Sequence, residues 1–166
     1  MNLSSVQTET WLQPMQVGDV EAVLLIEQQA YEFPWSRGNF IDSLAAGYAA
    51  QVLRAEDGRL LGYFLAMEGV GELHLLNITV APEAQGQGHA RRMLDALQAL
   101  ARRLACEQIW LEVRQSNARA RAIYLRYGFT EVGQRRAYYP AAQGQREDAV
   151  LMSLRLDAAE GGEGAA

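Results

Sequence analysis

Apolar residues recur along this chain with two different periods, and the switches between them mark its elements. After a polar opening, Met1 to about Thr8, that we expect to be loose, Glu9–Met15 reads as a strand. Gly18-Asp19 then starts a helix, with Asp19 at the N-cap and apolar Val20, Val23, Leu24 and Ala30 at near-helical spacing up to Tyr31. Phe33-Pro34-Trp35-Ser36 breaks that helix, and Ser36 caps a second one that runs through Phe40, Ile41 and Leu44 to about Ala46. The period falls to two over Tyr48–Glu56 and Leu60–Met67, with Asp57-Gly58 between them as a hairpin turn, and Glu72–Val80 adds a third strand.

Helical spacing returns after a glycine-rich loop. Met93, Leu94, Leu97, Leu100, Ala101 and Leu104 form one apolar face from about Ala90, with Arg91, Arg92, Arg102 and Arg103 mainly outside it. Gln108–Val113 is a short strand, and Ala118–Tyr127 a helix opened by Ser116-Asn117 and closed by Gly128. Phe129–Arg136 and Asp148–Leu156 read as the last strands, joined by a long loop holding Tyr138-Tyr139-Pro140. The stretch Asp157–Ala166 is acidic, rich in Ala and Gly and without periodicity, so a disordered tail is expected there. Two helices, an antiparallel meander, then strand–loop–helix–strand–helix–strand–strand make a mixed α/β layer, a single domain over residues 9–156.

Composition narrows the function classes. The chain has 166 residues, 49% of them hydrophobic, enough for a full core. Its net charge of −5 argues against a nucleic-acid binder and suits a basic partner such as an amine or a cationic peptide. One cysteine, Cys106, excludes an internal disulfide framework and fits a reducing, cytoplasmic setting. No secretory signal pattern is visible, and no apolar run approaches the ~18 residues of a membrane span. No His, Cys and carboxylate cluster has metal-ligand spacing, so no metal is expected; His74 and Cys106 read as structural.

Candidate chemistry begins at Asn77-Ile78-Thr79-Val80, where an apolar strand ends, and Gln85-Gly86-Gln87-Gly88-His89-Ala90, where a helix begins. Strand, glycine loop and helix start aim successive backbone N–H groups and the helix dipole at one spot, a main-chain site for a pyrophosphate. A Walker loop needs a lysine, and the chain has none; a dinucleotide fingerprint needs a third glycine where Arg91 stands. What remains, Gln-x-x-Gly-x-Ala, resembles the GCN5-related N-acetyltransferases (GNAT), in which this loop cradles the pyrophosphate of acetyl-coenzyme A. The resemblance extends element by element over roughly Trp11 to Leu156. It implies a central, mostly antiparallel sheet whose parallel fourth and fifth strands, Glu72–Val80 and Gln108–Val113, splay apart, with helices on both faces. It also implies coenzyme binding by Gln85, Gly86, Gln87, Gly88, His89, Ala90 and Arg91, with the backbone of Ile78, Thr79 and Val80 pairing with the pantetheine arm. Two positions depart from the commonest family pattern: Ala90 where Gly is frequent, and Gly86 where many relatives carry a basic residue.

Acetyl transfer to an amine requires loss of the ammonium proton, a polarised thioester carbonyl and a stabilised thiolate. Strand alternation alone leaves Glu112 as a solvated residue opposite Leu111 and Val113, and helical spacing alone leaves Tyr124 as a packing residue. The run Leu-Glu-Val-Arg-x-Ser-Asn at 111–117 and Ala-Ile-Tyr-x-x-Tyr-Gly-Phe at 122–129, however, resembles the ribosomal-protein-alanine N-acetyltransferases within that family. By that resemblance Glu112 is the general base, Asn117 a coenzyme ligand and Tyr124 the acid for the leaving thiolate. Three more clusters match: Phe33-Pro34-Trp35-Ser36, Arg135-Arg136-x-Tyr138-Tyr139-Pro140 and Gly144-x-Arg146-Glu147-Asp148-Ala149. The first two suggest that Phe33, Trp35, Tyr138 and Tyr139 wall an acceptor pocket. The implied acceptor is the basic N-terminal segment of a ribosomal protein, with a monomer or weak dimer as the acting species. A GNAT enzyme acting on lysine side chains or small amines, or a non-catalytic acyl-coenzyme A module, stay open as alternatives.

Overall fold

The computed structural model describes residues 9–157; the start expected to be loose and the expected tail beyond Asp157 lie outside them. Seven strands form one sheet: β1 (Thr10–Pro14), β2 (Ala49–Ala55), β3 (Leu60–Glu68), β4 (Glu72–Val80), β5 (Gln108–Arg114), β6 (Thr130–Pro140) and β7 (Arg146–Arg155). Their order is β1-β2-β3-β4-β5-β7-β6, and β4 with β5 is the parallel pair. Four helices complete the fold: α1 (Val20–Ala30), α2 (Arg37–Ala45), α3 (His89–Arg103) and α4 (Ala118–Tyr127).

Local chemistry sets most boundaries. The Ser36 hydroxyl accepts from Asn39 N at 3.1 Å while Asn39 Oδ1 accepts from Ser36 N at 2.9 Å, a reciprocal cap that opens α2. Asp19 behaves otherwise than expected. A 3₁₀ turn, Val17–Asp19, precedes α1, and the Asp19 carboxylate turns back to accept from Gln16 N (2.8 Å) and pair with Arg54 (2.6 Å), so it does not cap α1.

Two adjacent residues of β3 show the layers. The Tyr63 ring packs edge-on against Phe40 of α2 and its hydroxyl donates to Glu27 of α1. Gly62 faces the other way, where a Cβ would lie 3.0 Å from Met93 Cε of α3. Helices α1 and α2 therefore cover one face, and α3 buries Met93, Leu94, Leu97 and Ala101 on the other.

The β3–β4 ladder jumps from Ala66↔Leu75 to Leu65↔Asn77, so Leu76 is an extra residue on β4. Such a bulge bends its strand. The β4–β5 pairing ends at the same level, at Leu75↔Leu111, and the strands part beyond it. This is the expected splay, with a physical cause. The extra residue also shifts the alternation: His74, Asn77 and Thr79 share the α1 face, and Ile78 and Val80 look toward α3.

The C-terminal hairpin corrects the sequence reading. Tyr138-Tyr139-Pro140 is not in a loop, because β6 continues to Pro140, and β7 starts at Arg146. Pairing passes from Arg135↔Ala149 straight to Tyr139↔Glu147, so Arg136, Ala137 and Tyr138 together oppose Asp148. Ala137 sits at φ 52° in this bulge. Asp148 Oδ1 accepts from Ala137 N at 2.8 Å, and the Arg146 guanidinium donates to the Ala137 and Tyr138 carbonyls, both at 2.7 Å. Two members of the Arg-Glu-Asp cluster are thus the latch of this bulge. Pro140 is tolerated because β6 is an edge strand.

Candidate active site

A cleft of about 1020 Å³ opens where β4 and β5 separate, between α3, α4 and the end of α1. Ile78, Thr79, Val80, Gln85, Gly86, Gly88, His89, Ala90, Arg91 and Asn117 line it, as does Tyr124; Gln87 does not. Gly86 and Gly88 have φ of 79° and 84°, with no atom within 4 Å of where a Cβ would stand. A basic side chain at 86 would strain this backbone. Gly88 is the N-cap of α3 and supplies no side-chain cap, so the first-turn N–H groups of this 15-residue helix are left for a ligand. His89 opens α3, and burial, then Arg92, hold its pKa below the usual value.

The main chain at the splay is lightly held. Ile78 O accepts from the Tyr31 hydroxyl at 3.3 Å and Val80 O from Gln85 Nε2 at 3.4 Å, both long bonds. These are the carbonyls an extended amide chain would meet. A glycine cradle at an uncapped helix start, leading to a row of available backbone groups, fits a pyrophosphate carrying an amide-containing arm.

Asn117 caps α4 by accepting from Ala120 N at 3.2 Å, which leaves its amide N–H groups toward the cleft. Tyr124 lies two turns on, half-buried against Phe129 (5.7 Å between centroids). Burial, with smaller contributions from Tyr31 and Tyr139, raises its hydroxyl above the ordinary phenol range, so it stays a proton donor.

A second cluster stands on the opposite face of β5. The Glu112 side chain is only 6% exposed, which removes the solvated reading. Its Oε1 lies 3.4 Å from His74 Nε2, and its Oε2 is buried without a partner among the described residues. Tyr138 faces the same carboxylate, and Glu112 first, then burial, raise its hydroxyl pKa. Tyr139 packs edge-on against Tyr138 at 4.8 Å. The Arg114 guanidinium sits 4.5 Å from the Tyr139 ring and 5.0 Å from the Phe33 ring, joining the α1–α2 connection to β6. Glu147 holds that arginine at 3.2 Å and accepts from Ser116 N at 3.1 Å. Trp35 is set apart from this cluster, its ring tilted against Phe40 at 5.2 Å.

Between the two clusters runs a buried chain of hydrogen bonds that sequence reasoning missed. The Tyr31 hydroxyl meets Thr79 Oγ1 (2.7 Å), Thr79 donates to Asn77 Oδ1 (2.8 Å), and Asn77 Nδ2 donates to Glu27 Oε1 (2.9 Å). Tyr63 donates to the same oxygen at 2.8 Å and Trp35 N to Glu27 Oε2 at 3.0 Å. Burial pushes the Tyr31 hydroxyl up to about 12. A signal existed: Glu27 falls on the apolar stripe of α1, in phase with Val20, Val23 and Leu24, and is 2% exposed.

The glycine cradle at the start of α3 and the Glu112 carboxylate thus lie toward opposite faces of the sheet, and the cleft reaches through the β4–β5 gap to Tyr31 and Thr79. A thioester in the gap would meet Tyr124 from one side and an amine beside Glu112 from the other.

Comparison with known proteins agrees with this fold. The profile of the acetyltransferase (GNAT) family matches residues 20–129. The [ribosomal protein bS18]-alanine N-acetyltransferase of Salmonella typhimurium is 40% identical over 138 residues, 83% of this chain and 92% of that protein. The crystal structure of the ribosomal-protein-S18-alanine N-acetyltransferase from Escherichia coli superposes with a TM-score of 0.82 at 35% identity, covering 91% of this chain and 96% of that one. Ard1 from Thermoplasma volcanium, at 20% identity and TM-score 0.78, shares the fold.

Proposed function

The chain belongs to the acetyltransferase (GNAT) family, and we propose that it acetylates the N-terminal alanine of ribosomal protein bS18, drawing the acetyl group from acetyl-coenzyme A. The observation that carries the chemistry is the buried Glu112 carboxylate, with an unpartnered oxygen, across the strand gap from the coenzyme cleft. The choice of acceptor rests on the two bS18-alanine N-acetyltransferases that resemble this chain over most of its length. A ribosomal acceptor puts the reaction in the cytoplasm, and no described helix is long and apolar enough to cross a membrane.

Bound acetyl-coenzyme A would supply an activated acyl group on a thiol leaving group. The Gln85–Arg91 loop and the α3 N-terminus hold its pyrophosphate. The main chain of Ile78, Thr79 and Val80, with the Asn117 amide, orients its arm. Glu112 takes a proton from the ammonium, directly or through a water, and the freed amine attacks the thioester. Tyr124 donates a proton to the departing sulfur. An α-amine suits a carboxylate base: at pH 7 its deprotonation costs about 1 kcal/mol, against about 4.6 kcal/mol for a lysine side chain. Phe33 and Tyr139, bridged by Arg114, form with Tyr138 the wall beside the acceptor, and Trp35 packs apart from it against Phe40. Protein on this reading acts as a monomer or weak dimer on a basic peptide, matching its negative charge.

The test is mass spectrometry of the protein incubated with acetyl-coenzyme A and two peptides. One begins with a free alanine followed by basic residues; the other has a blocked N-terminus and a free lysine. One acetyl group on the alanine peptide alone is the expected result. Acetylation of the lysine peptide alone overturns the acceptor, and no acetylation of either overturns the function.

A further inference from the structure

We propose that His74 carries onward the proton that Glu112 takes from the acceptor ammonium, so that a buried carboxylate is reset for each turnover. The proposal rests on Glu112 as the base and assigns His74 as a positioning residue that acts through it.

The geometry poses the problem that His74 solves. Glu112 is 6% exposed, so its proton cannot pass readily to bulk water, and its Oε2 is buried without a hydrogen-bond partner among the described residues. Oε1 is turned to His74 Nε2 at 3.4 Å, and the imidazole is more exposed, at 15%. The His74 ring lies stacked on Trp110, centroids 3.6 Å apart and planes within 8°, which fixes its orientation beside the carboxylate. The step from buried base toward the surface is therefore one transfer, across 3.4 Å, to a held ring.

The charged and titratable groups around His74 are few. Glu112 faces it from β5, with Tyr138 of β6 on that same carboxylate; Arg135 approaches from β6, and Glu72 lies on its own strand. Burial first, and Arg135 after it, lower the imidazole pKa against the opposing pull of Glu112 and Glu72. The lowered pKa favours the neutral imidazole, which can accept a proton. The balance is simple. An ammonium N–H bond breaks as an O–H bond forms at Glu112 Oε1; that proton moves from Oε1 to Nε2 of neutral His74, in the tautomer protonated at Nδ1; imidazolium then releases it to water. One proton leaves per turnover, as conversion of an ammonium and a thioester to an amide and a thiol requires.

The experiment is a pH profile of kcat/KM, from pH 6.5 to 9.5, for the full chain, His74→Gln, His74→Ala and Glu112→Gln, using acetyl-coenzyme A and the alanine-starting peptide. Coenzyme Kd, measured for each variant, reports folding. His74→Gln should lose at least about tenfold at pH 7 and converge on the parent near pH 9.5, where the amine is already neutral. Added imidazole should restore His74→Ala in proportion to its concentration at pH 7, which no packing role would produce. A loss equal at all pH values, no loss, or no response to imidazole overturns the relay. An inactive Glu112→Gln beside fully active His74 variants removes the relay alone; a fully active Glu112→Gln removes the base on which it rests.

Discussion

Replacing Glu27 by Gln tests whether one buried carboxylate holds α1 to the splayed end of β4. Three donors converge on it: the Tyr63 hydroxyl and Asn77 Nδ2 on one oxygen, Trp35 N on the other. Both oxygens must accept. A glutamine has one accepting oxygen. Its better placement keeps Tyr63 and Asn77 on the carbonyl and turns its NH2 toward the Trp35 N–H, donor against donor. Leaving that part-buried N–H unpaired costs about 1–3 kcal/mol. Exchanging an anionic for a neutral acceptor weakens the two surviving bonds by roughly 0.5 kcal/mol each. The sum is about 2–4 kcal/mol, a large share of the roughly 5–15 kcal/mol that stabilises a domain. In thermal unfolding that is a drop in Tm of about 5–15 °C for a chain of this size. Urea unfolding followed by far-ultraviolet circular dichroism gives the free energy directly. The same variant should weaken coenzyme binding, because Asn77, Thr79 and Tyr31 transmit the change to Ile78 O. Tyr63→Phe removes one donor of three and should cost only about 1 kcal/mol. A Glu27→Gln variant within about 0.5 kcal/mol of the parent, the size of an ordinary surface change, refutes the reasoning, as does a Tyr63→Phe that costs more.

Three further outcomes are expected. Tyr124→Phe should lower kcat by about a hundredfold or more with coenzyme Kd unchanged, and unaltered turnover in steady-state assays removes its role as the acid. Gly62→Ala, despite the usual benefit of a larger strand residue, should cost about 1–3 kcal/mol in urea unfolding and weaken coenzyme binding. Its new Cβ would stand 2.6 Å from Thr79 O and 3.4 Å from Val80 Cα, and a neutral or stabilised variant contradicts that contact. Asp148→Ala should raise the peptide KM without moving coenzyme Kd, since it unlatches the bulge that aims Tyr138 at Glu112; calorimetry of both ligands separates the two.

Legibility differed between elements for identifiable reasons. α3 and α4 were readable because their apolar faces, caps and closing Gly128 lie within a few residues of one another. β6 was cut short because residues 136–138 pair with nothing, and what keeps them in a strand is Asp148 and Arg146 arriving from β7. Asp19 had the sequence position of a cap, and a distant arginine drew it elsewhere.

What the sequence determined through short-range chemistry is the element order and the glycine loop at a helix start; the family, and Glu112 and Tyr124 as candidates, came from the resemblance of its motifs. Only the tertiary structure decided that Leu76 bulges and opens the gap between β4 and β5, that Glu112 is buried with one oxygen free, that Glu27 ties α1 to Asn77, and that His74 stands beside the base. The physical reason is separation along the chain. Glu27 meets partners 36 and 50 residues away, and His74 meets Glu112 across a parallel pairing. Local patterns show that such residues break the hydrophobic rule; only packing shows what they meet.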